Sequence, residues 1–250
     1  MTDRARYRPL PGSPRLWRRT TDEPPSFWTE ALCDPPSVYG ERIAFALSTV
    51  LRRWDPSRSK LGAAISKGWD RLLPTAGERW LYLGAATGTT LSHVADLVGP
   101  SGAAYGVEKS VRPFAKLLRL AERYPNIGPL LADVRRWTEY AEWVPPVDGL
   151  YVDVAQPDQV AIARENARVF LKPNALLLLA LKTASMGREL SARQHLERAV
   201  RELEGGIEVE EALPLDPFHR RHFLVGGRAT PALFEAAVSR PIARRAARRS

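Results

Sequence analysis

The sequence predicts an α/β protein built on one mostly parallel, doubly wound sheet, with a small β-rich extension in front of it. Three observations carry this. From Pro74 onward, apolar runs of strand length alternate with stretches of helix length, which implies right-handed crossovers and parallel strands. The last two apolar runs follow one another with no helix between them, so they read as an antiparallel edge. The first alternating strand runs into a turn with two glycines, at the end of the sheet where such folds bind ligands.

The elements follow in order. Residues 1–37 are rich in Pro and Arg and show neither a helical nor an alternating period; they read as an extended basic arm. Residues 38–73 read as a small β-rich subdomain and a helix. Val38 to Trp54 mixes aromatic, β-branched and polar residues as a short hairpin does. Asp55 and Pro56 then open a helix with Leu61, Ala64, Ile65 and Trp69 at helical spacing. The main domain spans 74–230. Its strands are Trp80–Leu83, Ala103–Val107, Pro129–Leu131, Gly149–Val154 and Ala175–Leu181. Its helices are Thr90–Val98, Val111–Tyr124, Gln156–Phe170 and Ser191–Leu203, and Ile207–Leu213 with His222–Gly226 form the terminal hairpin. Residues 231–250 read as a basic tail, whose last stretch, Arg240 to Ser250, carries five arginines and no acid.

Composition bounds the function. With 250 residues and 44% hydrophobic content the chain can bury a full core. No apolar run approaches the roughly 18 residues of a membrane span, and the Arg- and Pro-rich start is not a secretory signal. One cysteine, Cys33, excludes a disulfide framework and fits a reducing cytoplasm. It also excludes a cysteine zinc site, and the four histidines lack ligand spacing, so no metal is expected. A net charge of +9 favours contact with a polyanion. It is equally compatible with a solvated basic surface or a hot habitat, to which the three Asn and three Gln also point.

The strand ends sketch a nucleoside pocket. The first strand runs into Gly84-Ala85-Ala86-Thr87-Gly88-Thr89-Thr90, where two glycines four apart allow close backbone approach. A plain tight turn fits the same residues. The second strand ends at Glu108, 24 positions after Gly84, where a carboxylate can accept from both ribose hydroxyls. The third ends at Asp133, suited to an adenine amino group, and the fourth at Asp153-Val154-Ala155-Gln156-Pro157-Asp158-Gln159. Each of these acids is also compatible with simple solvent exposure. No phosphate-gripping GxxxxGK[ST] occurs and no GxGxxG. Together the features favour S-adenosylmethionine over ATP or a dinucleotide, and the terminal hairpin matches the Rossmann-like variation that S-adenosylmethionine methyltransferases use.

Laid end to end, the motifs resemble those of fibrillarin, in its archaeal rather than its Gly/Arg-rich eukaryotic form. The matching stretches are Trp54-Asp55-Pro56 with Arg58-Ser59-Lys60-Leu61, LYLGAATGTTLSHVADLVGP (81–100), DVAQPDQ (153–159), ALKT (180–183) and LDPFHRRH (215–222). The resemblance implies that S-adenosylmethionine is held around Gly84, Ala85 and Gly88, by Thr89 and Thr90, Glu108 and its neighbour Lys109, Asp133 and Val134, and Asp153, Val154, Ala155 and Gln156. One departure is visible: the family usually has an aromatic where this chain has Lys109, so an adenine-stacking contact is either lost or supplied by the alkyl stem of the lysine.

The resemblance further implies a catalytic set of Lys60, Asp153, Lys182 and His222. The chemistry suits them. Methyl transfer is an in-line displacement governed by positioning, and a ribose hydroxyl gains from proton removal or strong orientation. Lys182 ends the apolar run Leu176–Leu181, where a neutral amine acting as base is favoured. Asp153 would orient the lysine or the hydroxyl, and Lys60 would hold a phosphate or complete the charge network. His219 is a rival to His222. Taken singly, each has an ordinary structural explanation as well.

No RNA-reading module is visible, and basic patches grip a backbone without reading it. That agrees with the implied assembly: a box C/D guide RNA that pairs with target rRNA or tRNA, a Nop-domain scaffold protein and a kink-turn-binding ribosomal-type protein. Arg15, Arg18, Arg19 and Arg244 to Arg249 are candidates for added phosphate contacts. The competing readings are a guide-independent methyltransferase acting on RNA or protein glutamine, and a non-catalytic ribonucleoprotein subunit.

Overall fold

The computed structural model describes residues 6–46 and 48–235. Two sheets organise them. The larger has seven strands: β6 (Arg79–Leu83), β7 (Ala103–Glu108), β8 (Ile127–Leu131), β9 (Val147–Val152), β10 (Leu171–Lys182), β11 (Ile207–Pro214) and β12 (His222–Ala229). Their order is β11-β12-β10-β9-β6-β7-β8. β10, β9, β6, β7 and β8 are mutually parallel, while β12 runs antiparallel to both β10 and β11. The chain winds outward from β6 to β8 and then crosses back to β9, so the switch point lies between β6 and β9. Helices α2 (Thr89–Val98), α3 (Val111–Ala121), α4 (Gln159–Phe170) and α5 (Ala192–Leu203) connect the strands.

Period-two alternation divides the core between the two faces of this sheet. Trp80, Tyr82, Leu176, Leu178 and Ala180 belong to one cluster, with Leu91 and Val94 of α2. Leu81, Leu83, Leu177, Leu179 and Leu181 belong to the other, with Ile162, Ala163 and Phe170 of α4. The unbroken apolar run of β10 is thus explained: the strand is buried on both faces. Each fully buried leucine contributes about 1.5–3 kcal/mol relative to exposure.

The second sheet overturns one expectation. The described part of the expected arm, residues 6–37, is not an arm. β1 (Tyr7–Leu10), β2 (Ser13–Arg19) and β3 (Ser26–Glu30) join the predicted hairpin, β4 (Ile43–Ala46) and β5 (Thr49–Arg53), in a five-stranded antiparallel sheet of order β1-β2-β3-β5-β4. The prolines are compatible with strands here because Pro9 lies on the edge strand β1 and Pro14 falls where the β1–β2 register slips. Arg15 is spent within the fold, on the Glu30 carboxylate at 2.9 Å and the Asp96 carbonyl at 2.6 Å. Arg19 pairs with Asp22.

Buried polar groups fasten this sheet to α2. Asp96 is fully buried and accepts from Arg52 (2.8 Å), Thr29 (2.8 Å), Tyr124 (3.1 Å) and the Leu32 amide (3.1 Å). Arg52, also fully buried, reaches Glu41 at 2.6 Å and the Ser92 hydroxyl at 3.0 Å. His93 stacks on Trp54 at 4.6 Å and bonds through its two ring nitrogens to Thr29 and Tyr39, both at 2.8 Å.

Smaller differences from expectation bear on the site. Asp55 and Pro56 do not open the first helix; Asp55 accepts from Ser57 in a turn, and α1 (Lys60–Ser66) starts after its N-cap Ser59. Trp69 lies beyond that helix. β9 ends at Val152 and α4 begins only at Gln159, leaving 153–158 as a loop. Pro231–Glu235 form the short helix α6. The rest of the expected basic tail, Arg240 to Ser250 included, lies outside the described residues. Among the described residues no helix is long and apolar enough to cross a membrane.

Candidate active site

At the carboxyl edge of β6 the backbone leaves no room for side chains. Gly84 has φ +83°, and a Cβ there would meet the Asp153 carbonyl at 2.4 Å. Gly88, the N-cap of α2, has φ +88°, and its Cβ would meet Leu120 at 2.4 Å. Both positions need glycine for conformation and for space. No side chain caps α2, so its first amides are left for an external acceptor. The Ala86 amide donates to Glu108 at 3.0 Å and the Ser110 amide to the same carboxylate at 2.7 Å. Glu108 therefore braces the turn and keeps a second lone pair on each oxygen.

The remaining nucleoside-pocket residues line up along the same edge. Asp133 accepts from the Arg135 amide at 3.0 Å, and the Lys109 ammonium lies 3.8 Å from its other oxygen. Val134 and Val154 are buried, and Ala155 is exposed. Gln156 accepts from Arg135 at 2.9 Å, and Arg135 also pairs with Asp158. Thr90 is buried and gives its hydroxyl to Ser59 at 3.0 Å; Thr89 offers its carbonyl to Ser92 at 2.9 Å. Glycine cradle, open helix start and carboxylates after three successive strands fit an adenosyl amino acid: amides for its carboxylate, acids for its ribose, adenine and sulfonium.

Next to this pocket the structure brings together the residues expected to be catalytic. Lys60, at the start of α1, holds both oxygens of Asp153, at 2.8 and 2.9 Å. Lys182 ends β10, half-buried, paired in register with His222 at the start of β12. His222 bonds the Arg220 carbonyl at 2.8 Å and His219 the Pro56 carbonyl at 2.9 Å; their rings are 6.0 Å apart, edge to face. Burial lowers both imidazoles below their ordinary value, and the Lys60 ammonium lowers them further. Tyr82 lies beneath Asp153; burial, then the Asp153 charge, pushes its phenol well above the usual range.

Two residues escaped the sequence reading. Ser59 caps α1 by accepting from the Gly62 amide at 3.1 Å and receives the Thr90 hydroxyl, so it ties Lys60's helix to the cofactor turn. Gln159 is fully buried and bonds the backbone of Lys182. The signal for Gln159 is its place in DVAQPDQ, and that for Ser59 its place in Arg58-Ser59-Lys60-Leu61.

Beside the Thr87–Thr89 turn a groove of about 450 Å³ is lined by Tyr39, Arg58, Lys116, Arg119 and Arg123, with no carboxylate in its wall. Arg58 stacks over the Tyr39 ring at 5.0 Å.

A seven-stranded sheet with an antiparallel edge, an adenosine-shaped pocket at its switch point and no phosphate grip define an S-adenosylmethionine-dependent methyltransferase. The fibrillarin family model matches residues 16–231. A fibrillarin-like rRNA/tRNA 2′-O-methyltransferase of Saccharolobus islandicus is 45% identical over 192 residues, covering 76% of this chain and 83% of the relative. The crystal structure of Aeropyrum pernix fibrillarin with natively bound S-adenosyl-L-methionine superposes with a TM-score of 0.79 at 36% identity, over 88% of this chain and 97% of that one. A fibrillarin/Nop5p complex gives 0.75 at 37% identity, over 82% and 94%. The chain belongs to the fibrillarin family.

Proposed function

We infer that this chain transfers a methyl group from S-adenosylmethionine to ribose 2′-hydroxyls of RNA, as the catalytic subunit of a box C/D guide ribonucleoprotein. The observation that carries this reading is the Lys60–Asp153 ion pair beside Lys182 and His222, at the strand ends next to the glycine turn. The cofactor would be held by the Gly84–Thr90 turn, Glu108, Lys109, Asp133, Val134 and 153–156; when bound, it supplies an electrophilic methyl group. Lys182, acting as the free amine, receives the 2′-hydroxyl proton and becomes the ammonium. Asp153 accepts a hydrogen bond from that hydroxyl or from the Lys182 ammonium. Lys60 fixes the carboxylate's orientation, and His222 borders the site on the β12 side.

The groove with Arg58, Lys116 and Arg119 supports an RNA backbone as the acceptor, since it offers cations and no acids to phosphates. Selection of the nucleotide falls to partners. The fibrillarin/Nop5p complex supports a Nop-domain scaffold, and a guide RNA and a kink-turn-binding protein complete the particle we propose. The lone thiol of Cys33 supports a reducing, cytoplasmic setting.

The test is product analysis. The chain is incubated with methyl-labelled cofactor, target RNA, guide RNA and scaffold, and the RNA is digested to nucleosides. Label in one 2′-O-methylnucleoside, dependent on the guide, is expected. Label on a base, on protein, or on RNA irrespective of the guide overturns the reading.

A further inference from the structure

The strand that carries Lys182 outruns its neighbour. β10 pairs with β9 only as far as Leu179, opposite Val152, and then continues to Lys182 with β12 alone beside it. Something other than a strand must satisfy the Lys182 backbone on the β9 side. Gln159 does this. It is the first residue of α4, a position usually open to solvent, yet it is fully buried. Its Oε1 accepts from the Lys182 amide at 2.8 Å, and its Nε2 donates to the Lys182 carbonyl at 3.1 Å. The same Nε2 donates to the Gln156 carbonyl, also at 3.1 Å. The side-chain amide thus copies one residue of a β-ladder, offering an acceptor and a donor side by side as a backbone would.

We propose that Gln159 is a positioning residue for methyl transfer, fixing the distance between the Lys182 strand end and the cofactor loop at Gln156. The inference rests on the proposed role of Lys182. One rigid amide joins the two sides of the reaction: the strand end bearing the proton acceptor and the loop expected to hold the methyl donor. Without it Lys182 keeps its β12 partner but loses its register against the loop, and in-line displacement is sensitive to that geometry.

Two substitutions test this in the reconstituted particle. Gln159→Met keeps length and volume but removes all three bonds. It should lower kcat at least tenfold, with the cofactor Kd, measured by calorimetry on the isolated chain, within threefold of the parent. The Lys182 amide should lose hydrogen-exchange protection. Gln159→Glu can still accept from the Lys182 amide, but when ionised it donates to neither carbonyl. Its kcat relative to the parent should rise as the pH falls and the carboxyl, raised by its two carbonyl neighbours, regains a proton to donate. A folded Gln159→Met chain within twofold of parental kcat, or one whose loss matches its loss of cofactor affinity, overturns the proposal. If that variant does not fold, a flat Gln159→Glu ratio across pH overturns it instead. A parent chain that does not methylate ribose sinks the functional reading, whereas the Lys182 exchange measurement still reports on Gln159.

Discussion

Removing the Asp96 carboxylate should be among the most costly single changes in this protein. Asp96→Leu leaves Arg52 with no solvent exposure and only Glu41 as an ionic partner, and it strands donors on Thr29, Tyr124 and the Leu32 amide. Breaking one side of such a pair costs about 3–5 kcal/mol, here because several buried donors lose their shared acceptor with no water to replace it. Arg52→Met alone leaves the Asp96 and Glu41 carboxylates both buried without a cation, whereas adding Asp96→Leu leaves only Glu41 unpaired, so the double change should cost much less than the sum of the single changes. The coupling in a double-mutant cycle should exceed about 2 kcal/mol. The effect should reach the active site. Arg52 bonds Ser92, whose hydroxyl bonds the Thr89 carbonyl in the cofactor turn, and the sheet that Arg52 anchors leads directly into Lys60's helix. Urea unfolding with calorimetric cofactor binding is the assay. A single-mutant cost below about 1 kcal/mol, or additive single effects, refutes the view that this cluster fastens the N-terminal sheet to the methyltransferase domain.

Two further outcomes are expected. Burial, and then the Arg52 charge, holds the His93 imidazole well below its ordinary value, so the unfolded chain binds that proton more readily than the folded one. Stability should therefore be insensitive to His93 above about pH 6.5 and fall below it, by up to about 1.4 kcal/mol per pH unit. His219 and His222 act in the same sense and the raised Asp96 carboxyl in the opposite one; the slope difference between parent and His93→Gln isolates the buried ring, and equal slopes would contradict the account. Lys109 is half-exposed and its 3.8 Å contact with Asp133 is a weak one. Lys109→Phe should tighten cofactor binding about 2- to 10-fold, the equivalent of an aromatic contact of about 0.5–1.5 kcal/mol; weaker binding by calorimetry would show that the lysine itself serves the adenine pocket.

The main sheet was legible because each strand carries its burial in its own residues. The run Leu176–Leu181 is apolar throughout as it faces core on both sides, and the glycines at 84 and 88 mark the place where the turn packs against the Asp153 backbone and the Leu120 side chain. The N-terminal sheet was not. Its strands are secured by contacts more than 60 residues away, such as Thr29 to His93 and Asp96, and its arginines read as solvated until Arg52 is seen buried between two carboxylates. Asp55-Pro56 resembled a helix start because an acid before proline fits either a cap or a turn, and only the Ser59 bond to Gly62 decides. Gln159 was hidden for a similar reason: a glutamine at a helix start is ordinary in sequence, and its role depends on β9 pairing with β10 no further than Leu179, three residues short of Lys182.

The most direct test of the central claim is the single-turnover rate of methyl transfer by Lys182→Ala in the guide-assembled particle, with cofactor affinity measured on the same variant. The rate should fall by about a hundredfold or more while the cofactor Kd stays within threefold. A near-parental rate with intact cofactor binding would contradict the assignment of Lys182 as proton acceptor and leave the site's chemistry to another group.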